Sequence, residues 1–229
     1  MLISNTSDSS SEFKEIIYSV DACIATITLN RPLRGNRLTR RMLQEIRRAL
    51  ILSENHADIV GNIITGSGDC FCLGVDRSMA KSGGLSSNLL PIYIFQLSKP
   101  VVAAINGPMC GLGFTLAIFC DARFADRNAT SRVSFLENER CAEKVTVWML
   151  WQIGGPHIER HQFLRQIDLT SLDLHEMKII NQPSEPGESA RDAMLYIHQI
   201  LAVTPQSVIA QIKHNLYAVL KKELRAVLE

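Results

Sequence analysis

The stretch KPVVAAINGPMCGLGFTLAIFCD, residues 99–121, constrains this chain more than any other part of it. Residues 101–105 are continuously apolar, the pattern of a strand buried on both faces. Asn106-Gly107-Pro108 supplies a turn, and Gly111-Leu112-Gly113 a glycine step. Residues 112–119 then read as an apolar helix. A strand that feeds a glycine-rich turn into a helix leaves backbone N–H groups unpaired at the helix start. Such donors hold a phosphate, a carboxylate or a developing oxyanion, and the surrounding residues decide which.

The flanking pattern alternates strand and helix. Residues 15–18 and 24–29 read as two strands around a turn at Asp21-Ala22. Residues 39–53 have helical periodicity, with Met42, Leu43, Ile46 and Leu50 on one face. Residues 59–65 form a short buried strand, 89–97 a helix, and 123–125 and 132–135 two further strands. From Thr146 the pattern turns helical, over 147–153, 158–167 and 172–177. QPSEPGE, residues 182–188, reads as a linker, followed by amphipathic helices at 190–203 and 205–228. Strands alternating with helices predict an α/β fold built on a largely parallel sheet.

Composition narrows the function classes. Hydrophobic residues make up 46% and charged residues 21%, as in ordinary globular chains. A net charge of +1 implies no nucleic-acid partner. No apolar run approaches the ~20 residues of a membrane span. The polar, Ser-rich residues 1–12 read as a disordered lead and lack the apolar core of a signal peptide. Six cysteines without a secretory signal read as reduced, buried thiols of a cytoplasmic protein. Cys70-x-Cys72 lacks zinc spacing, and His157 and His161, one helical turn apart, lack a third ligand, so no metal is expected. The glycine step is G-x-G without a third glycine or a ribose-binding acid, which argues against a dinucleotide site.

Three motifs, in order, resemble the crotonase (enoyl-CoA hydratase/isomerase) superfamily. They are IATITLNRP at 24–32, ITGSGDCFCLGVD at 64–76, and the stretch 99–121. The resemblance implies a crotonase-type ββα spiral over residues 13–181 and a C-terminal helical trimerisation region over 182–229, hence a homotrimer or a dimer of trimers. It further implies acyl-thioester chemistry through an enolate, in which two backbone N–H donors hold the thioester oxygen. By position these belong to Val75 and Leu112, with Gly74, Gly111 and Gly113 letting the backbone approach the ligand closely. No cofactor is implied beyond the coenzyme A or phosphopantetheine of the substrate, whose phosphates Lys81 is placed to contact. Asp76 orients the first loop.

The acid–base groups depart from the hydratase pattern. Thr115 stands where hydratases place a first glutamate, and Glu137 falls at the second carboxylate, with Glu139 and Glu143 as alternates. Two carboxylates activate and hold a water for hydration, whereas one suits proton shuttling. Residues 138–150 also contain no glycine where the family often has a glycine-rich stretch. The expected function is therefore an enoyl-CoA hydratase/isomerase-like enzyme. One alternative is a polyketide-pathway dehydratase or decarboxylase acting on acyl-carrier-protein thioesters, because residues 204–216 resemble the C-terminal helix of β-branching homologues. The other is a catalytically inactive module that binds coenzyme A or proteins, like the crotonase domains of chromodomain Y-like proteins.

Overall fold

A computed structural model of the chain describes residues 13–80, 90–132, 140–155 and 168–228. In chain order the elements are β1 (Ile16–Asp21), β2 (Ile24–Leu29), a 3-10 turn (Pro32–Arg34), α1 (Arg40–Asn55), β3 (Gly61–Gly66), α2 (Arg77–Ala80) and α3 (Leu90–Gln96). Next come β4 (Val101–Ile105), β5 (Met109–Cys110), α4 (Leu112–Ile118), β6 (Ala122–Asp126), β7 (Thr130–Arg132) and α5 (Arg140–Gly154). The chain continues with β8 (Leu169–Thr170), α6 (Ser171–Glu176), β9 (Gln182–Ser184), α7 (Ser189–Val203) and α8 (Gln206–Leu228).

The main sheet has the order β1-β2-β3-β4-β6-β9. Its first pair is an antiparallel hairpin and the rest is parallel. Period-2 geometry sorts its residues onto two faces. Ile27, Leu29, Ile64, Ala103, Ile105 and Ala125 join the larger core, which α1 enters with Met42, Leu43, Ile46 and Leu50. Ile24, Ile63, Val102, Ala104, Ala122 and Phe124 face the other way, onto Ala193 and Ile197 of α7. Both faces are covered, which is why β4 carries five buried apolar residues in a row. Helix α1 begins where Thr39 Oγ1 accepts the Met42 N–H at 3.0 Å.

The expected linker at 182–188 is instead part of the sheet. Gln182–Ser184 pairs in parallel with β6 from Phe124–Gln182 to Asp126–Ser184. Pro183 is tolerated there because β9 is an edge strand. The Asp126 carboxylate then accepts the N–H groups of Gly187 and Ser189 at 2.7 and 3.0 Å, which starts α7. The helix expected at 147–153 extends over Arg140–Gly154, and the helix expected at 158–167 lies outside the described residues.

A second, small sheet of order β5-β7-β8 was not expected, because β5 and β8 are only two residues long. Helix α8 lies against α3 and α5. Gln96 Nε2 donates to the Tyr217 hydroxyl at 2.7 Å, Gln152 Nε2 donates to Glu223 at 3.0 Å, and Lys213 Nζ forms an ion pair with Asp121. Among the described residues no single helix is long and apolar enough to cross a membrane. The described cysteines are free thiols, and Cys23, in the β1–β2 turn, is exposed rather than buried as expected.

Candidate functional site

Two loops from different parts of the sequence are brought together by one backbone bridge. Cys72 and Met109 pair in parallel, and the Cys110 N–H donates to the Cys72 carbonyl at 2.9 Å. Because the strands run in the same direction, the residues two places further on leave the bridge side by side. Those residues are Gly74 and Gly111, with φ of +86° and +51°. A side chain at either position would be strained. Gly74, Val75 and Gly111 line one cavity of about 310 Å³.

The Gly74–Val75 peptide is fixed from behind. The Gly74 carbonyl accepts the Leu38 N–H at 2.8 Å and the Cys72 thiol at 3.6 Å. In a trans peptide the N–H points opposite the carbonyl. Holding the carbonyl against Leu38 therefore turns the Val75 N–H away from Leu38. Leu112 is the first residue of α4, so its N–H is one of the donors that a helix leaves unpaired. Among the described residues neither N–H has an acceptor within the protein. Val75 lines the cavity, and Leu112 follows the lining residue Gly111 at the start of α4, the positive end of that helix's dipole.

Asp76 secures the loop that carries Val75. Its N–H donates to the Leu38 carbonyl at 2.9 Å. One carboxylate oxygen accepts the N–H and hydroxyl of Ser78 at 3.0 and 2.8 Å, and the other accepts Arg31 Nη1 at 3.1 Å. The Ser78 bonds, and then Arg31, lower its pKa to about 2. Arg31 Nη1 also donates to the Arg37 carbonyl at 2.8 Å, which joins the segment before Leu38 to the same clamp.

Gly113 lies outside the cavity wall. A Cβ there would come within 2.7 Å of Cys72 Cβ and 2.8 Å of its Sγ, so this glycine lets α4 press against the bridge strand. Thr115 is fully buried. Its hydroxyl donates to the Gly111 carbonyl at 3.2 Å and lies 2.6 Å from the Thr146 hydroxyl on α5. Burial raises the pKa of Cys70 to about 11 and that of Cys72 to about 12, so both are neutral thiols at physiological pH. Lys81, Glu137, Glu139, His157 and His161 lie outside the described residues, as does the side chain of Glu143.

Three charged residues of the cavity wall were not foreseen: Arg37, Arg132 and Asp168. Arg132 and Asp168 form a two-pronged ion pair at 2.7 and 2.8 Å, and Arg37 Nη1 donates to the Leu73 carbonyl at 2.5 Å. They come from three distant segments, and no local pattern marks Arg132 or Asp168. Arg37 follows the Asn30-Arg31-Pro32 motif closely and was the one within reach of sequence reasoning. Among the described residues no group of three or more His, Cys, Asp or Glu is placed to hold a metal.

A layered α/β fold thus brings the Gly74–Val75 loop and Gly111 to the wall of one cavity. The family description Enoyl-CoA hydratase/isomerase matches residues 19–229, and the chain belongs to that family. The probable enoyl-CoA hydratase EchA14 of Mycobacterium tuberculosis is 30% identical over 161 residues, 67% of this chain and 63% of that protein. The match thus spans less than two thirds of that relative's length. The peroxisomal enoyl-CoA delta isomerase 3 of Mus musculus is 25% identical over 236 residues, covering 95% of this chain and 74% of that protein. The crystal structure of the enoyl-CoA hydratase EchA12_1 from Mycobacterium marinum superposes with a TM-score of 0.78 at 26% identity, over 89% of this chain and 96% of that one.

Proposed function

We propose that the protein is an enoyl-CoA hydratase/isomerase-like enzyme that acts on an acyl thioester through an enolate. The observation that carries this reading is the meeting of Gly74, Val75 and Gly111 at one cavity, with Leu112 following Gly111 at the start of α4. The thioester oxygen sits between the Val75 and Leu112 N–H groups. Removal of a proton from the acyl chain moves charge onto that oxygen, where donors already in place stabilise it most.

The acid–base residue is Glu137. The first carboxylate position of hydratases is filled by Thr115, whose hydroxyl is engaged within the protein. A single carboxylate favours proton transfer over addition of water. For a 3-enoyl thioester, Glu137 takes a proton from C2, the enolate rests on the two N–H groups, and the same carboxyl group returns the proton to C4. Coenzyme A or phosphopantetheine enters only as part of the substrate, with Lys81 contacting its phosphates. The enzyme works as a homotrimer in the cytoplasm.

The test is incubation of purified protein with 3-enoyl, 2-enoyl and 3-hydroxyacyl thioesters on coenzyme A and on acyl carrier protein, followed by mass spectrometry and ultraviolet absorbance. The expected result is a conjugated product of unchanged mass, reduced on the order of 10²–10⁴-fold by Glu137→Gln. Gain or loss of water indicates a hydratase or dehydratase, and loss of carbon dioxide a decarboxylase. Binding of coenzyme A without turnover of any thioester supports a non-catalytic module, the reading favoured by the buried, internally bonded Thr115.

A further inference from the structure

The peptide that carries the Leu112 N–H is held differently from its counterpart at Val75. Gly111 has φ +51° and ψ −126°, neither helical nor ordinary strand geometry. Its ψ sets where the Leu112 N–H points, and what fixes that angle is the partner of the Gly111 carbonyl. Both bonds to that carbonyl come from Thr115: the backbone N–H at 3.0 Å and the hydroxyl at 3.2 Å.

A helical threonine often bonds the carbonyl four residues back. Here the hydroxyl has a second partner, Thr146 Oγ1, at 2.6 Å across the α4–α5 contact. The Thr115 hydroxyl is thus shared between the Gly111 carbonyl and the Thr146 hydroxyl, and either hydroxyl can be the donor in the shorter bond. The result is a connected network: the Thr146 and Thr115 hydroxyls, the Gly111 carbonyl, and through its peptide the Leu112 N–H. Both hydroxyls are fully buried. In such surroundings each bond polarises the next and an unpaired member is costly.

We infer that Thr115, backed by Thr146, is a positioning residue that aims and polarises the Leu112 N–H toward the thioester oxygen. This rests on the proposed acyl-thioester function. It assigns to two residues away from the cavity wall a role in the transition state, not in substrate affinity.

The experiment uses the full chain with a bound, unreactive conjugated thioester such as cinnamoyl-CoA. The carbonyl stretch is read by isotope-edited infrared spectroscopy, alongside kcat, KM and thermal melting. Thr115→Val keeps the volume and removes the hydroxyl, Thr115→Ser keeps the hydroxyl, and Thr115→Val/Thr146→Val removes both hydroxyls of the 2.6 Å bond. The wild-type protein is expected to shift the carbonyl to lower frequency. Thr115→Val loses most of that shift and roughly ten-fold in kcat at nearly constant KM, the scale of a misaimed donor rather than a deleted one. Thr115→Ser recovers both, and the double variant melts near wild type yet keeps the defect. A Thr115→Val or double variant with the wild-type shift and kcat overturns the inference, as does a kcat loss that merely follows melting. A wild-type protein that binds the thioester without shifting its carbonyl overturns the oxyanion reading itself, and the inference with it.

Discussion

At the residue scale, glycine separates the two kinds of constraint in the site. Gly74 and Gly111 are required by their backbone angles, whereas Gly113 is required by contact. Gly113→Ala drives a methyl group onto the Cys72 carbonyl and Cβ. Overpacking of this kind costs about 1–3 kcal/mol, and because α4 carries the second donor, activity falls with stability. A urea titration beside an activity assay checks both. Asp76 makes a pH-dependent prediction. Its folded-state pKa, about 2, lies below the ordinary value of an aspartate carboxylate. Its carboxylate therefore contributes stability that is present above pH ~4 and is lost as the pH falls toward 2. Asp76→Asn is expected to be less stable than wild type at pH 7 and to converge with it by pH 2, as followed by denaturant melts across that range. The glycines, Val75, Leu112 and Asp76 could be singled out in sequence because each lies within a contiguous motif. Thr115 was legible only as a missing carboxylate, since the partner that gives it meaning, Thr146, is 31 residues away on another helix.

At the element scale, long strongly patterned segments were legible and short ones were not. The run 101–105 declared itself by five consecutive apolar residues. Strands β5 and β8, with two residues each, have no period to read, yet β5 places Gly111 beside the Gly74 loop. QPSEPGE was misread because Pro and Gly usually break sheets, while an edge strand accepts Pro183 and Asp126 caps the turn that follows. Helix α8 poses a related question of attachment. Lys213 is buried and ion-paired with Asp121, whose same oxygen accepts the Val101 N–H at 2.7 Å. One carboxylate thus joins α8 to the start of β4. Lys213→Met keeps the apolar stem and removes the charge, and is expected to cost about 1–3 kcal/mol. Hydrogen exchange locates the loss: the amides of α8 exchange faster while those of β4 hold, because Asp121 keeps its bond to Val101.

At the scale of the whole molecule, α8 is apolar on two sides. Ile209 and Leu224 are buried against the chain's own core, and Leu220 packs against it. Val208, Ile212, Leu216 and Val219 follow one another at helical spacing and are 44%, 49%, 54% and 73% exposed. Isolated exposed apolar residues are ordinary, but a continuous stripe along a helix is the mark of a surface that meets a partner. The proposed homotrimer supplies that partner as further copies of the same chain. Light scattering after size exclusion is then expected to give three times the 25.5 kDa chain mass. Ile212→Glu/Leu216→Glu places two charges on the outward stripe without touching Ile209, Lys213 or Leu224. Its expected product is a monomer whose circular dichroism matches wild type, since nothing on the inward face has changed. A wild-type protein that runs as a monomer at micromolar concentration removes the trimer. A double variant that keeps the trimer moves the contact elsewhere on the surface. One that loses its helical signal shows that α8 is held to the core by less than its inward residues and the Lys213 ion pair.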